Sequence, residues 1–256
     1  MQFSNLILDT DNDVATLTLD RPKRLNALSE DLLTELIEAA ALIADSDART
    51  VVISGAGRAF CAGVDIESFM ELVQNPELAS RHEAFKLGGT MADAIESIPQ
   101  VTVAALHGFV VGGGVVLAAA CDLRIAAEDT VFSIPEIDMG IPLGWGGTDR
   151  LVREIGPALT RELIMTGRRF TAQEAKAAGF LNTVVDPEDV ESTALDLATL
   201  ISSKARVPIE IMKAHVAEIV SGDMSRDDNL SAVDDFDHPE SVAAREPYVA
   251  RFTDSP

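Results

Sequence analysis

Apolar and polar residues alternate over Val14–Asp20 (VATLTLD), the two-residue period of a half-buried strand. Thr50–Gly55 (TVVISG), Val101–Leu106 (VTVAAL), Leu123–Ala126 and Asn182–Val185 are short β-branched or apolar runs that predict further strands. Between the first two, LSEDLLTELIEAAALIAD carries apolar residues at helical spacing, with Ser29 as N-cap and acids in the first turn. Arg81–Ile98 predicts another helix, ended by Pro99. From Pro157 onward helical pieces dominate: ALTRELIMTG, TAQEAKAAG with Gly179 as C-cap, and a long stretch from Glu188 to Val220. Strands therefore crowd the first three quarters and helices the last, which predicts an α/β core with a C-terminal helical extension. The polar, acidic end (Gly222–Pro256) has scattered apolar residues such as Phe236 and Phe252, which suit a cap on a neighbouring surface.

The segment Val101–Cys121 carries no formal charge over 21 residues, long enough to span a bilayer. It also holds Gly108 and the triplet Gly112-Gly113-Gly114, with His107 among them. VTVAAL is strand-like, whereas VVLAAAC after the glycines suits a buried helix. Strand, glycine turn, helix is the expected order, because four glycines would weaken a lone spanning helix.

Charge removes several partner classes. In 256 residues, 20 Lys and Arg stand against 42 Asp and Glu, a net charge of −22. Nucleic acid and anionic lipid both need clustered cations, so neither is expected as a partner. Cys61 and Cys121 are the only cysteines, too few for a disulfide framework. The first residues, MQFSNLILDTDNDV, lack the basic region of a signal peptide, so the expected place is the cytoplasm.

Two glycine-containing turns each follow a predicted strand: SGAGRAFCAGVDI and HGFVVGGGVVLAAACD. Small residues let a ligand carbonyl approach the backbone, and N–H groups at a helix start favour a negative oxygen. Two such donors converging on one point would form an oxyanion hole. Each glycine set would equally serve tight turns and close packing. No GxGxxG dinucleotide fingerprint occurs.

Four segments in order and register resemble the crotonase superfamily, the enoyl-CoA hydratase/isomerase family. They are RPKRLNALS (Arg21–Ser29), GAGRAFCAGVDI (Gly55–Ile66), His107–Leu151 and TGRRFTAQEAKAAGFLNTVV (Thr166–Val185). The resemblance implies a ββα-spiral core over residues 1–190 and a C-terminal helical region over 191–256 that packs in trimers, often paired into hexamers. It implies an acyl-CoA thioester as substrate, so coenzyme A arrives with the substrate and no separate cofactor is expected. By position, the backbone N–H groups of Val64 and Gly113 would hold the thioester oxygen as it becomes an enolate. Arg24, Leu25 and Ala62 would line the coenzyme A portion, with Ile66 near the adenine, and Gly63, Gly112 and Pro135 would also bind the coenzyme A or acyl part of the substrate. Asp65 belongs to the same stretch, and its place at a helix start favours a cap.

The resemblance also exposes a departure. Hydratases of the family face the double bond with two glutamates, and here those positions are Val116 and Glu136. Adding water needs a water polarised between two acid–base groups. A double-bond shift needs one carboxylate, and Val116 with Glu136 resembles the Δ3-Δ2-enoyl-CoA isomerases. Dienoyl-CoA isomerases add an aspartate where this chain has Gly144. Three readings stand: isomerase; hydratase with Asp138 or an ordered water as substitute; and a binder without catalysis. On an extended segment Asp138 would point the same way as Glu136, with Asp149 a second substitute acid. Burial among Ile134, Ile137, Met139 and Ile141 would raise the pKa of Glu136.

His107 reads as structural, and no Cys, His, Asp or Glu cluster has metal-ligand spacing. Trp145 falls where many relatives have a small residue, so it either reshapes the acyl pocket or fills the core. A coenzyme A ester carries about four negative charges, so a chain this acidic needs local cations to hold one. Arg24 and Arg58 are the candidates, with Lys213 a third. Glu67 stands where well-known hydratases place a lysine near the adenine.

Overall fold

The computed structural model describes residues 3–74, 78–223, 225 and 228–253. The chain opens with an antiparallel hairpin of β1 (Leu6–Asp11) and β2 (Val14–Leu19), turned by Asn12 at φ 53°. Helix α1 (Glu30–Ala44) follows, with the Ser29 side chain accepting from Leu32 N–H, and then β3 (Thr50–Gly55). Helices α2 (Ile66–Gln74) and α3 (Leu78–Glu96) lead to β4 (Val101–Leu106), β5 (Phe109–Val111) and α4 (Gly113–Ala119). Next come β6 (Leu123–Ala127), β7 (Val131–Ser133), a 3₁₀ turn at Pro135–Met139 and α5 (Gly147–Thr166). Strand β8 (Phe170–Thr171), α6 (Ala172–Ala177) and β9 (Thr183–Val185) complete the mixed part. Helices α7 (Val190–Ser202), α8 (Arg206–Ser221), α9 (Asp228–Asp235) and α10 (Pro239–Thr253) end the chain.

The uncharged run thus resolves into strand, glycine turn and helix. Among the described residues no helix is long and apolar enough to cross a membrane.

A six-stranded sheet has the order β1-β2-β3-β4-β6-β9, and a three-stranded sheet has the order β5-β7-β8. Apart from the β1–β2 hairpin, the large sheet is parallel. The chain runs from the large sheet to the small one and then into helix: β4, β5, α4, and again β6, β7 and α5. That repeat is a ββα spiral, so the α/β class and the family's architecture are both present. Leu17, Leu36, Ile53, Phe60, Leu106 and Leu117 meet in the main core on one side of the large sheet. On its other side Val190, Ala194 and Ala198, one face of α7 at i, i+4 spacing, pack on Val52, Val103 and Ile125. This packing ties helix α7 to the large sheet.

Candidate active site

The backbone around Val64 is held from two sides. On one side, Cys61 N–H donates to Phe109 O (3.1 Å) and Val111 N–H donates to Cys61 O (3.0 Å), a parallel bridge of Cys61 with Val110. Three residues further along both segments in the same sense stand Val64 and Gly113. A Cβ on Gly63 would lie 2.8 Å from Val111 O and 3.7 Å from Gly113 N, and Gly63 has φ 89°, so this close approach needs glycine. On the other side, Leu28 N–H donates to Gly63 O (2.8 Å) and Asp65 N–H to Leu28 O (3.0 Å), which passes over Val64. Gly113 is the first residue of α4, where an N–H has no partner within the helix. Neither N–H meets an acceptor among the described residues.

Each glycine of the triplet makes room for a different neighbour. A Cβ on Gly112 would stand 2.3 Å from Glu136 Oε1, one on Gly113 2.3 Å from Trp145 Cζ3, and one on Gly114 2.7 Å from Cys61 O. Gly112 has φ 50° as well. The glycines therefore bring carboxylate, indole and the Val64 segment against one short helix.

Glu136 is buried at 8% exposure, and its Oε2 has no hydrogen-bond partner. Burial pushes its carboxyl above the usual carboxylate range, opposed by a hydrogen bond from its own backbone N–H. It faces a mainly apolar cavity whose lining includes Val64, Gly113, Val116, Met139, Ile141 and Trp145. Helices α1, α2 and α3 close the cavity with Leu33, Phe69, Leu72 and Phe85. Its other carboxylate is exposed Glu30 in the first turn of α1, so Glu136 is the one buried acid on this wall among the described residues. Val116 is fully buried on the same wall.

Two expectations about substitute acids are corrected. Pro135–Met139 is a 3₁₀ turn rather than an extended segment, so Asp138 does not share the direction of Glu136. Asp138 is exposed and approaches Gly167, and Asp149 is exposed at the start of α5. Ile137 is 45% exposed and does not line the cavity.

A second depression joins the first at Val64 and Met139 and is lined by Arg24, Ala27, Ala62, Gly63, Asp65, Ile66, Val111 and Pro135. Most of the residues expected to bind the coenzyme A or acyl part of the substrate thus come together. Leu25 does not line it; its φ of 51° turns its carbonyl to accept Ala62 N–H at 2.9 Å. Asp65 is a cap, accepting from Glu67 N–H at 3.0 Å, and it is also paired with Arg21 at 2.9 Å. Lys213 does not serve this site, because its Nζ is tied to Ile98 O, Gln100 O and Asp122. Arg58 is exposed and lines neither depression. His107 pairs with Gly57 O (3.0 Å), a structural contact.

One positioning residue escaped the sequence reading. Asn26 is fully buried, donates to Ala56 O (2.9 Å) and Ala59 O (2.8 Å), and accepts from Arg21 N–H (2.9 Å). It pins the loop that leads to Val64. An asparagine between Leu25 and Ala27 was the available signal. Both cysteines are buried and free, with their thiols pushed up to about 12 by burial, so neither is a nucleophile here. No group of three or more His, Cys, Asp or Glu side chains able to hold a metal occurs among the described residues.

Two free N–H groups beside a buried carboxylate, on a cavity opening toward an arginine, suit chemistry at a carbonyl. Comparison with known proteins agrees. The crotonyl-CoA hydratase of Syntrophomonas wolfei is 36% identical over 234 residues, 91% of this chain and 88% of its own. The short-chain-enoyl-CoA hydratase of Clostridium acetobutylicum is 36% identical over 83% of this chain and 81% of its own. The crystal structure of an enoyl-CoA hydratase from Bacillus anthracis matches with a TM-score of 0.79 and 31% identity, covering 93% of this chain and 98% of that one. One from Mycobacterium smegmatis matches with a TM-score of 0.87 at 28% identity, covering 96% of each chain. The family described as enoyl-CoA hydratase/isomerase matches over residues 9–247, and with these relatives it makes the chain an enzyme of that family, of the crotonase type.

Proposed function

We propose that the enzyme shifts the double bond of a 3-enoyl-CoA to the 2-position, with Glu136 as the single proton carrier. The observation behind this reading is the pairing of a buried Glu136 with an apolar Val116 on one cavity wall. The ionised carboxylate takes a proton from C2, and the C2–H electron pair moves into the thioester to give a dienolate. The N–H groups of Val64 and Gly113 hold the resulting negative oxygen. The dienolate then takes the same proton back at C4, the double bond settles between C2 and C3, and Glu136 is again ionised. No water enters the balance, in keeping with the apolar lining. The raised pKa of Glu136 makes the transfer more nearly even in both directions.

Hydration is the second reading, favoured by relatives named crotonyl-CoA hydratase and short-chain-enoyl-CoA hydratase. It would need an ordered water activated by Glu136 alone, because Asp138 and Asp149 lie outside the cavity. Parallel assays with 3-enoyl-CoA and 2-enoyl-CoA separate the two. Isomerisation that is lost in Glu136→Gln supports the first reading; wild-type hydration faster than isomerisation overturns it. Acyl-CoA binding without turnover of either ester would leave a binder without catalysis.

The same proposal includes a trimer, single or paired into a hexamer. Helix α8 leaves Met212, Val216, Ile219 and Val220 about half exposed along one side, and a second copy would cover them. Light scattering on the purified protein tests this.

A further inference from the structure

Trp145 sits in the left-handed region at φ 59°, a strained conformation for a bulky side chain. Its surroundings hold it there. The buried Arg150 donates to Trp145 O (3.2 Å) and pairs with Asp93 (2.8 Å) and Glu96 (2.5 Å) on α3. The indole bridges two helices. A Cβ on Gly88 of α3 would stand 2.0 Å from Trp145 Cε2, and one on Gly113 of α4 would stand 2.3 Å from Cζ3. Two glycines are thus given over to one ring, and that ring lines the cavity that Glu136 faces.

We infer that Trp145 is the specificity-determining wall for the acyl carbons nearest the thioester, admitting a straight chain and excluding a branch there. The inference rests on the acyl-CoA reading above and holds whether the double bond is shifted or hydrated. The reason is place. Gly113 is the residue whose N–H would hold the thioester oxygen, so a ring against Gly113 stands beside C2 to C4 rather than at the far end of the chain. A wall mounted on an ion-paired arginine and a strained backbone does not yield readily to an added methyl group. Removing the ring opens the seam between Gly88 and Gly113, the space a branch would occupy.

Trp145 is the chain's only tryptophan, so its emission reports on this wall directly. Affinities of butanoyl-CoA, 2-methylbutanoyl-CoA and free coenzyme A are measured by calorimetry, with emission followed in parallel. The wild type is expected to prefer butanoyl-CoA over the branched ester by about tenfold, the scale of one methyl group in a tight pocket. Butanoyl-CoA should change the emission and free coenzyme A should not. In Trp145→Ala the preference should fall to within about twofold while free coenzyme A binds as before. Trp145→Phe, the gentler change if the alanine variant does not fold, should retain at least half of the preference on a logarithmic scale. An unchanged preference in folded Trp145→Ala, or wild-type emission unmoved by bound butanoyl-CoA, overturns the wall. Failure of every acyl-CoA to bind the wild type overturns the acyl-CoA reading itself, and this inference with it.

Discussion

Arg24 and Glu67 are joined by an ion pair of 2.8 Å at the outer depression, and both side chains are more than half exposed. Arg24 is the cation that lines this depression, so its one formal partner at rest is a carboxylate. An incoming coenzyme A phosphate must displace Glu67 or share Arg24 with it. Exposed pairs of this kind are weak, so the ligand can do so, but the local field is less positive than Arg24 alone would make it. Arg24→Ala is expected to raise KM for a coenzyme A ester by about fivefold or more with kcat kept. Glu67→Gln should lower KM by about two- to fivefold. An N-acetylcysteamine thioester, which lacks the phosphates, should respond to neither. A rise below about twofold in Arg24→Ala would remove Arg24 from the site.

Glu136 links activity to stability with opposite signs. Its carboxyl is raised by burial, so the folded chain binds that proton more tightly than the unfolded chain. The stability this contributes is complete below the unfolded value, about 4.3, and is lost as pH rises through the folded value. The base must be ionised to act, so kcat/KM should climb over that same interval, with its acid limb above the ordinary carboxylate range. Glu136→Gln should abolish turnover yet raise Tm at pH 8, where the buried carboxylate is costliest. The gain should shrink toward pH 4. A variant less stable than wild type at pH 8 would contradict the burial argument.

Patterning made most of the long elements legible and, of the short strands, β9 only. Strand β2 alternates, β3 and β4 are β-branched or apolar runs, and helix α1 has helical spacing, each over six residues or more. Strands β5, β7 and β8 have three residues or fewer and lie inside or beside the glycine turns and the Pro135 turn, so no separate run marks them. Strand β1 was missed because its apolar residues are the consecutive Leu6, Ile7 and Leu8 followed by polar ones, so no alternation marks it, although Leu6 and Leu8 face the core. The candidate site was legible where backbone carries it: glycines at 63, 112 and 113 mark close approaches whatever surrounds them. Its walls were not, because Leu33, Phe69 and Phe85 meet only when α1, α2 and α3 converge. Asp138 failed for a local reason: one 3₁₀ turn replaces an extended segment and changes where every side chain on it points.

Glycine 112 and glycine 114 should respond differently to the same methyl group. At Gly112 the methyl would meet Glu136 Oε1, and φ 50° adds strain. Gly112→Ala should therefore move the carboxylate by about 1 Å and lower kcat on the order of a hundredfold. At Gly114 the methyl would meet Cys61 O and Cβ. Gly114→Ala should chiefly reduce Tm, with the Val64 segment shifted. Equal losses of kcat and stability in both variants would show that the triplet is a packing device only. Steady-state kinetics and thermal melts on the two proteins decide it.

Val116 offers the most direct test of why one carboxylate is present. Its side chain is fully buried, and a Cβ on Gly147 would stand 2.6 Å from its Cγ2, so the space is tight. Val116→Glu would place a second carboxylate on the wall that holds Glu136. Burying it lowers stability, and the like charge nearby pushes the Glu136 carboxyl further up. A water between two carboxyl groups, one neutral and one ionised, is then polarised for addition to a 2-enoyl-CoA. Hydration should rise on the order of a hundredfold over wild type, while isomerisation falls because the second carboxylate holds the proton more tightly on Glu136. If folded Val116→Glu hydrates no faster than wild type, the apolar residue at 116 is not what sets the balance between the two reactions.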